Sequence, residues 1–538
     1  MSAQPLYRFA YYTAVEPLID KWVAWPHTFS PVPYALHLMN FQKEVLASYL
    51  LNPAIHVQSC RNPKLLGGPF VDISEHRADE VSKLLAAIEQ NHADLLGLAR
   101  DLTEFQNLLA QEAKGQTLES YYGRLPSSLQ GHVELVYDYH SRPLVRCIES
   151  LFYESPYYKR ELQSFRIFSL ERDDSRPYYM STPRLTEPND IEWNTSFDCR
   201  EVDDLFQLDT CPQPIERIRE LLSLSPQDEP RILPLLTEEP LVPTKCWEGP
   251  GLRLRYFGHA CVLIEWQGVS ILTDPFIPVM PRQGGIERFT FADLPQRIDY
   301  VLITHGHHDH FVFESLLRLR HRIGTLVVPH SSGIFYGDTS LKLLARKLGF
   351  KNVQEVEALD SIPVPGGEII SVPFLGEHCD LPHAKTAYVV RVGNEQILFA
   401  ADSSCLDRQI YERLIKILGP IRTVFVGMEY IGAPLTWVYG PLLPEQPEHS
   451  HSQSRRSHAS DAAAVLDLLQ AVKAQRVYIY ALGREPWLKY FMALDPTEDD
   501  PYMREVRKLL EAVRVQEFLD AEILFGRQEL YLEAAEVI

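Results

Sequence analysis

The segment Thr304-His305-Gly306-His307-His308-Asp309-His310 restricts the fold more than any other part of this 538-residue chain. Before it runs Val301-Leu302-Ile303-Thr304, apolar and β-branched; after it, Leu316, Leu317 and Leu319 suggest a helix. The histidines therefore belong on a strand-to-helix loop, where a rigid scaffold holds ligands in place. His305 and His307 can turn their imidazoles the same way, which leaves Asp309 and His310 for a second ion. So many nitrogen and oxygen donors in so short a stretch point to a two-metal site rather than to core packing.

The rest of the chain sets the context. Apolar residues make up 45% and charged residues 23%, the profile of a globular protein with a large core. With 72 acidic against 52 basic residues the formal net charge is -20, which repels nucleic acid and anionic membrane as a whole. The cysteines are scattered and form no CxxC pair, as in reduced cytosolic proteins. Met1 to Trp25 lacks the pattern of a signal peptide, and no stretch approaches the roughly 18 apolar residues of a membrane span. A cytoplasmic protein is expected.

Three regions are expected. Residues 1–245 form a mixed α/β domain. It has helical periodicity over 80–88 and 93–109, strand-like runs such as Phe165 to Leu170, and a proline cluster between Pro212 and Pro243 that reads as a linker or irregular wrap. Residues 246–482 form the metal domain. There Leu252 to Phe257 alternates like a half-buried strand, and Gln267-Gly268 parts two further strands as a hairpin turn. Residues 483–538 are a C-terminal extension packed on the metal domain. The polar stretch Glu445 to His458 reads as a mobile surface loop.

His305 to His310 matches the His-x-His-x-Asp-His signature in full, and here the chain resembles the metallo-β-lactamase superfamily. The resemblance extends to Gly258-His259-Ala260-Cys261, to Thr273-Asp274-Pro275 and to Ala401-Asp402-Ser403, and it covers roughly residues 250–480. It implies an α+β fold, an αββα sandwich with a dinuclear site at one edge. Asp274 would orient the metal loop from behind, and Asp402 would bridge the metals. Hydrolytic members supply a further histidine before the bridging aspartate and another near the end. At the first position Glu377 and His378 compete, and neighbours on a strand point to opposite faces. Near Val477 to Gly483, the second position, there is no histidine; His449, His451 and His458 lie in the polar stretch instead.

A carboxylate gained and an imidazole lost shift the donor set from one that suits zinc toward one that suits iron. With the long region before the metal domain, this pattern resembles the diiron β-hydroxylases of the chloramphenicol-pathway type. The resemblance implies two iron ions held by His305, His307, Asp309, His310, Glu377 and Asp402, with Glu377 and Asp402 tuning the reaction. It also implies O2-dependent hydroxylation of an aminoacyl thioester on a carrier domain of a nonribosomal peptide synthetase, an external electron donor and a homodimer. The alternative is a dinuclear zinc hydrolase, a lactonase or phosphodiesterase, with His378 in place of Glu377.

Asp274 and Glu429 are candidate supporting carboxylates, the latter open to a substrate-pocket role. His308 is expected to face away from the metals and His259 to pack beneath them. His383 is a candidate pocket residue, and Cys379 and Cys405 are expected to pack. Arg318-Leu319-Arg320-His321-Arg322 is either a solvated helix face or a docking surface for an acidic carrier. Gly483 to Trp487 is a candidate lip of the site.

Overall fold

Gln267-Gly268 makes the turn its sequence demands: Trp266 pairs with Val269, and the hairpin continues through Leu263 opposite Leu272. The computed structural model describes residues 4–241, 244–331, 333–376, 384–429, 431–516 and 519–532. The hairpin lies within a seven-stranded sheet in the order Val353–Val356, Ile323–Pro329, Ile298–Leu302, Val269–Thr273, Cys261–Trp266, Leu252–Gly258 and Gln528–Leu532. A second seven-stranded sheet runs Ser361–Val364, Gly367–Val372, Ala387–Val392, Glu395–Phe399, Thr423–Gly427, Arg476–Tyr480 and Asp520–Ile523.

The two sheets bury a common core, in which Leu254, Ile264 and Ile271 join Val390, Ile397 and Phe425. Strands buried on both faces read as near-continuous apolar runs, as Val269–Thr273 does. Helices Arg408–Leu418, Ala462–Val472 and Pro501–Arg514 cover the outer face of the second sheet through Leu414, Leu468 and Leu509. Helix Phe313–Leu319 covers the outer face of the first. The result is the expected αββα sandwich.

The N-terminal region supplies a four-stranded antiparallel sheet, ordered Trp22–Val23, Thr13–Ile19, Gln163–Ser169 and Ile191–Asn194. Helices Ala78–Asn91 and Ala93–Glu112 form where the periodicity places them. Its core is continuous with the outer face of the first sandwich sheet: Phe165, Phe197 and Leu205 belong to one cluster with Leu263, Val301 and Leu316.

Buried ion pairs tie the two regions together, and they overturn both readings of the Arg318 to Arg322 run. Arg318, Arg320 and Arg322 are buried. Arg318 grips Asp209 with two hydrogen bonds of 2.7 Å and donates a third to the Thr13 carbonyl at 3.0 Å. Arg320 donates to Asp203 at 2.8 Å. The run is neither a solvated face nor a docking surface. A second network starts at Glu16, which receives two 3.0 Å hydrogen bonds from Arg184. Burial works to raise its carboxyl, but the charges of Arg184, Arg176 and Arg166 outweigh it and hold the group at about 2. Arg176 in turn donates to Glu314, on the helix that follows the metal loop, at 2.7 and 3.1 Å.

Three further expectations change. Strands Asp520–Ile523 and Gln528–Leu532 pair at the edges of the two sheets, so the C-terminal segment is part of the sandwich and not an extension packed upon it. The polar stretch holds a short helix, His449–Ser454. The proline-rich stretch folds into the short helices Ile215–Leu221 and Glu229–Ile232, with Pro214 and Pro230 at their starts, where a missing N–H costs nothing. Among the described residues no helix is long and apolar enough to cross a membrane.

Candidate metal centre

The candidate residues sit on loops that leave the sandwich at one edge, each at the end of a parallel strand. Asp274 follows Val269–Thr273 and His305 to His310 follow Ile298–Leu302, whose partners Thr273 and Leu302 lie side by side. Asp402 follows Glu395–Phe399, and Glu429 follows Thr423–Gly427. Parallel pairing thus brings residues far apart in sequence to one edge.

Asp274 organises the loop. One oxygen accepts the Thr304 backbone N–H at 2.7 Å; the other accepts the Thr304 hydroxyl at 2.7 Å and lies 2.9 Å from His310 Nδ1. A carboxylate on Nδ1 places the ring proton there and leaves the Nε2 lone pair for a metal. His310 Nε2 then faces Asp402 Oδ2 at 3.1 Å, and His305 Nε2 lies 3.8 Å from the same oxygen. His307 Nε2 lies 3.2 Å from the Tyr439 hydroxyl, and its ring stands 4.6 Å from that of His305.

The donors form two buried groups, His305 with His310 and Asp402, and His259 with Asp309 and His310. Within each, the donor atoms lie within 4.8 Å of one another, and His310 belongs to both. Imidazole nitrogens and carboxylate oxygens converging in a water-poor space are the chemistry of a cation site, so the residues fit a pair of metal ions. Burial opposes charge on His310 and Asp309. The surrounding carboxylates nevertheless push His310 well above the usual histidine range, and the surrounding histidines hold Asp309 well below the usual carboxylate range.

His308 joins neither donor group, though it too lines the cavity beside the metal loop. It is buried among Tyr179, Trp437 and Phe491 at ring distances of 5.0 to 5.5 Å, and burial lowers it to about 4. His259 is the residue that sequence reasoning undervalued. Its Nε2 lies 3.0 Å from Asp309 Oδ2 and 3.3 Å from His310 Nε2. A left-handed backbone at φ 51° and a bulge between the strands at Cys261/Val262 turn it inward. A conformation uncommon for a residue with a Cβ was the consequence to look for in Gly258-His259. His259→Ala is expected to weaken the binding of one metal by about 10–100-fold while the other stays bound. Metal titration followed by elemental analysis checks this, and unchanged affinity at both positions would remove His259 from the site.

Gly427 is needed for a close approach: a Cβ there would stand 2.7 Å from the Ala401 carbonyl and 3.2 Å from Asp402 Oδ1. Glu429 lies just beyond. Burial first, then the charges of Asp402 and Asp309, push its carboxyl well above the usual range. Its side chain, with His307 and Asp309, lines a cavity of about 540 Å³ whose far wall includes Leu65 to Phe70 of the N-terminal region.

Met492, Ala493 and Leu494 line this cavity, and Gly483 to Trp487 do not. Trp487 is buried, and Glu485 accepts the Tyr256 hydroxyl at 2.5 Å inside the fold. Cys405 is buried in the core of the second sheet. Neither donor group includes His449, His451 or His458. Glu377, His378, Cys379 and His383 lie outside the described residues.

The comparisons agree with this geometry. Residues 8–240 match the model of the diiron non-haem β-hydroxylase N-terminal domain, and residues 253–399 that of a β-lactamase superfamily domain. The chain is 34% identical over 498 residues to the 4-amino-L-phenylalanyl-[CmlP-peptidyl-carrier-protein] 3-hydroxylase of Streptomyces venezuelae, covering 91% of this chain and 93% of that enzyme. The crystal structure of CmlA, a diiron β-hydroxylase from Streptomyces venezuelae, superposes with a TM-score of 0.91 at 32% identity, over 98% of this chain and 100% of that one. A UPF0173 metal-dependent hydrolase of Methanopyrus kandleri is 32% identical over only 124 residues, 23% of this chain and 46% of that protein. The N-terminal region, the sandwich and the likeness along almost the whole chain lead to one conclusion: this protein belongs to the diiron non-haem β-hydroxylase family.

Proposed function

We propose that the chain is an O2-dependent diiron monooxygenase that hydroxylates the β-carbon of an aminoacyl group held as a thioester on a nonribosomal peptide synthetase carrier domain. The observation that carries this reading is the shared cavity. The buried donor groups open into a space walled partly by the N-terminal region, the part of the chain that matches the diiron non-haem β-hydroxylase N-terminal domain.

His305, His307, Asp309, His310 and Asp402 would hold the metals, with Glu377 added on the strength of the resemblance. Iron bound there supplies the redox chemistry that activates dioxygen. The chain's own residues do the rest. Asp274 fixes the tautomer and angle of His310. Trp437, Val438 and Met492 give the cavity apolar walls that keep water from the reacting carbon. Lys64, which also lines it, suits the phosphate of a phosphopantetheine arm. An external electron donor, a homodimer and a cytoplasmic setting go with this reading.

The choice between Glu377 and His378 separates it from a zinc hydrolase. Glu377→Ala is expected to lose bound iron, and His378→Ala to keep it, when both are purified from iron-replete cells and analysed by mass spectrometry of the metals. The reverse pattern would move the assignment to the hydrolase.

A further inference from the structure

We infer that Glu429 is the anchor for the α-ammonium group of the substrate, and so the residue that restricts this enzyme to aminoacyl rather than plain acyl thioesters. The inference rests on the hydroxylase reading above and adds the group by which the substrate is recognised.

The cavity that reaches the metal loop is mostly apolar, with Leu66, Phe70, Trp437, Val438, Met492 and Leu494 among its walls. Among the described residues two carboxylates line it, Asp309 and Glu429. Asp309 is already engaged, since His259 stands 3.0 Å from it and both belong to a donor group. Glu429 joins neither donor group, and unlike His307 it lies outside the His305 to His310 signature. Ala459 N–H donates to its backbone carbonyl at 2.9 Å, but none of the described residues donates to its carboxylate; what surrounds that is charge, that of Asp402, Asp309, His310 and Arg456. Arg456 is the one guanidinium among these, and it spends donors elsewhere: Nε goes to the Gly432 carbonyl at 2.6 Å and Nη1 to Gln453 at 2.5 Å.

A carboxyl in an apolar cavity with no hydrogen bond from the described residues is costly to ionise until a ligand completes it, and a cation beside it favours the charged form that burial, Asp402 and Asp309 oppose. The ligand must be a cation, must fit an apolar pocket, and must bring a reacting carbon to the metal loop. An aminoacyl thioester meets all three conditions. Its ammonium sits on the α-carbon, one bond from the carbon to be hydroxylated. Glu429 and Asp402 stand at the ends of adjacent parallel strands, tied by the Gly427 N–H to the Ala401 carbonyl at 2.8 Å. An ammonium held by Glu429 therefore places the neighbouring β-carbon beside the donor groups. It also chooses which end of the substrate turns toward them.

The test uses the full-length, iron-loaded protein and its Glu429→Gln variant. Each is titrated calorimetrically with two stable probes, the L-phenylalanyl and phenylpropanoyl amides of aminopantetheine, which differ only in the amine. Iron content is measured for both proteins. The wild type is expected to bind the aminated probe about tenfold more tightly or better, the worth of a charge-assisted hydrogen bond in a dry site. The variant is expected to bind both alike, with its affinity for the amine-free probe and its iron content unchanged. A variant that still prefers the aminated probe overturns the assignment, and a variant that loses iron makes Glu429 a metal residue instead. If the wild type binds both probes equally, Glu429 is not the anchor but the hydroxylase reading stands. If it binds neither, that reading fails and the anchor with it.

Discussion

Asp402→Ala is expected to purify without iron and to lose hydroxylation by at least about a hundredfold, since even partners one shell out from a metal cost 10–100-fold when removed. Asp402 is a donor in one group, and its Oδ2 stands 3.1 Å from His310, the residue the two groups share. Its loss takes away the negative charge that two imidazoles face, and with it the charge balance for a pair of cations. The fold should survive, because the loop carrying it is held by bonds to the Ala401 backbone: Gly427 N–H donates to the Ala401 carbonyl at 2.8 Å, and Ala401 N–H donates to the Tyr480 hydroxyl at 3.0 Å. Elemental analysis beside circular dichroism checks both halves. A variant that retains its full iron would show that Asp402 is no ligand.

The second large effect is on stability. Arg318→Leu is expected to destabilise the protein by about 3–5 kcal/mol, because Asp209 is then left buried with no partner. Arg318 and Asp209 are 4% and 8% exposed, so solvent screens their attraction little. Burial works to raise Asp209, yet the Arg318 charge and its two hydrogen bonds hold the carboxyl below its ordinary value. A lowered folded-state value means that the pair contributes stability above the unfolded carboxylate value and loses it as pH falls through the folded one. The penalty of the variant should therefore shrink on acidification, as protonation makes the orphaned carboxyl cheaper to bury. Replacing Asp209 by Leu as well should recover most of the loss. Urea denaturation at neutral and acid pH measures all three, and an equal penalty for the single and double variants would contradict this account.

Much of the centre was legible because most of its donors are consecutive. Six adjacent residues carry His305, His307, Asp309 and His310, and a single apolar strand presents them. Asp274 and Asp402 were legible only through the resemblance to the superfamily, and each proves to follow the end of a strand. His259 was not, because its place depends on a bulge and a left-handed residue that periodicity does not register. Arg318, Arg320 and Arg322 look like a solvated stripe when read locally. Their burial is decided by Asp209 and Asp203, which reach them from another region of the chain. Strands Asp520–Ile523 and Gln528–Leu532 were hidden for a different reason: edge strands alternate with solvent, and their short polar runs carry little apolar signal.

The central claim is oxygen insertion at a carbon beside an intact thioester. It is tested most directly by mass spectrometry of an L-phenylalanyl-loaded carrier domain after incubation with iron-loaded protein, a chemical reductant and isotopically labelled dioxygen. The account predicts one labelled oxygen atom on the β-carbon, with the thioester unbroken and no product from the zinc-loaded protein. Release of the free amino acid without labelled oxygen, best supported by zinc, would contradict it.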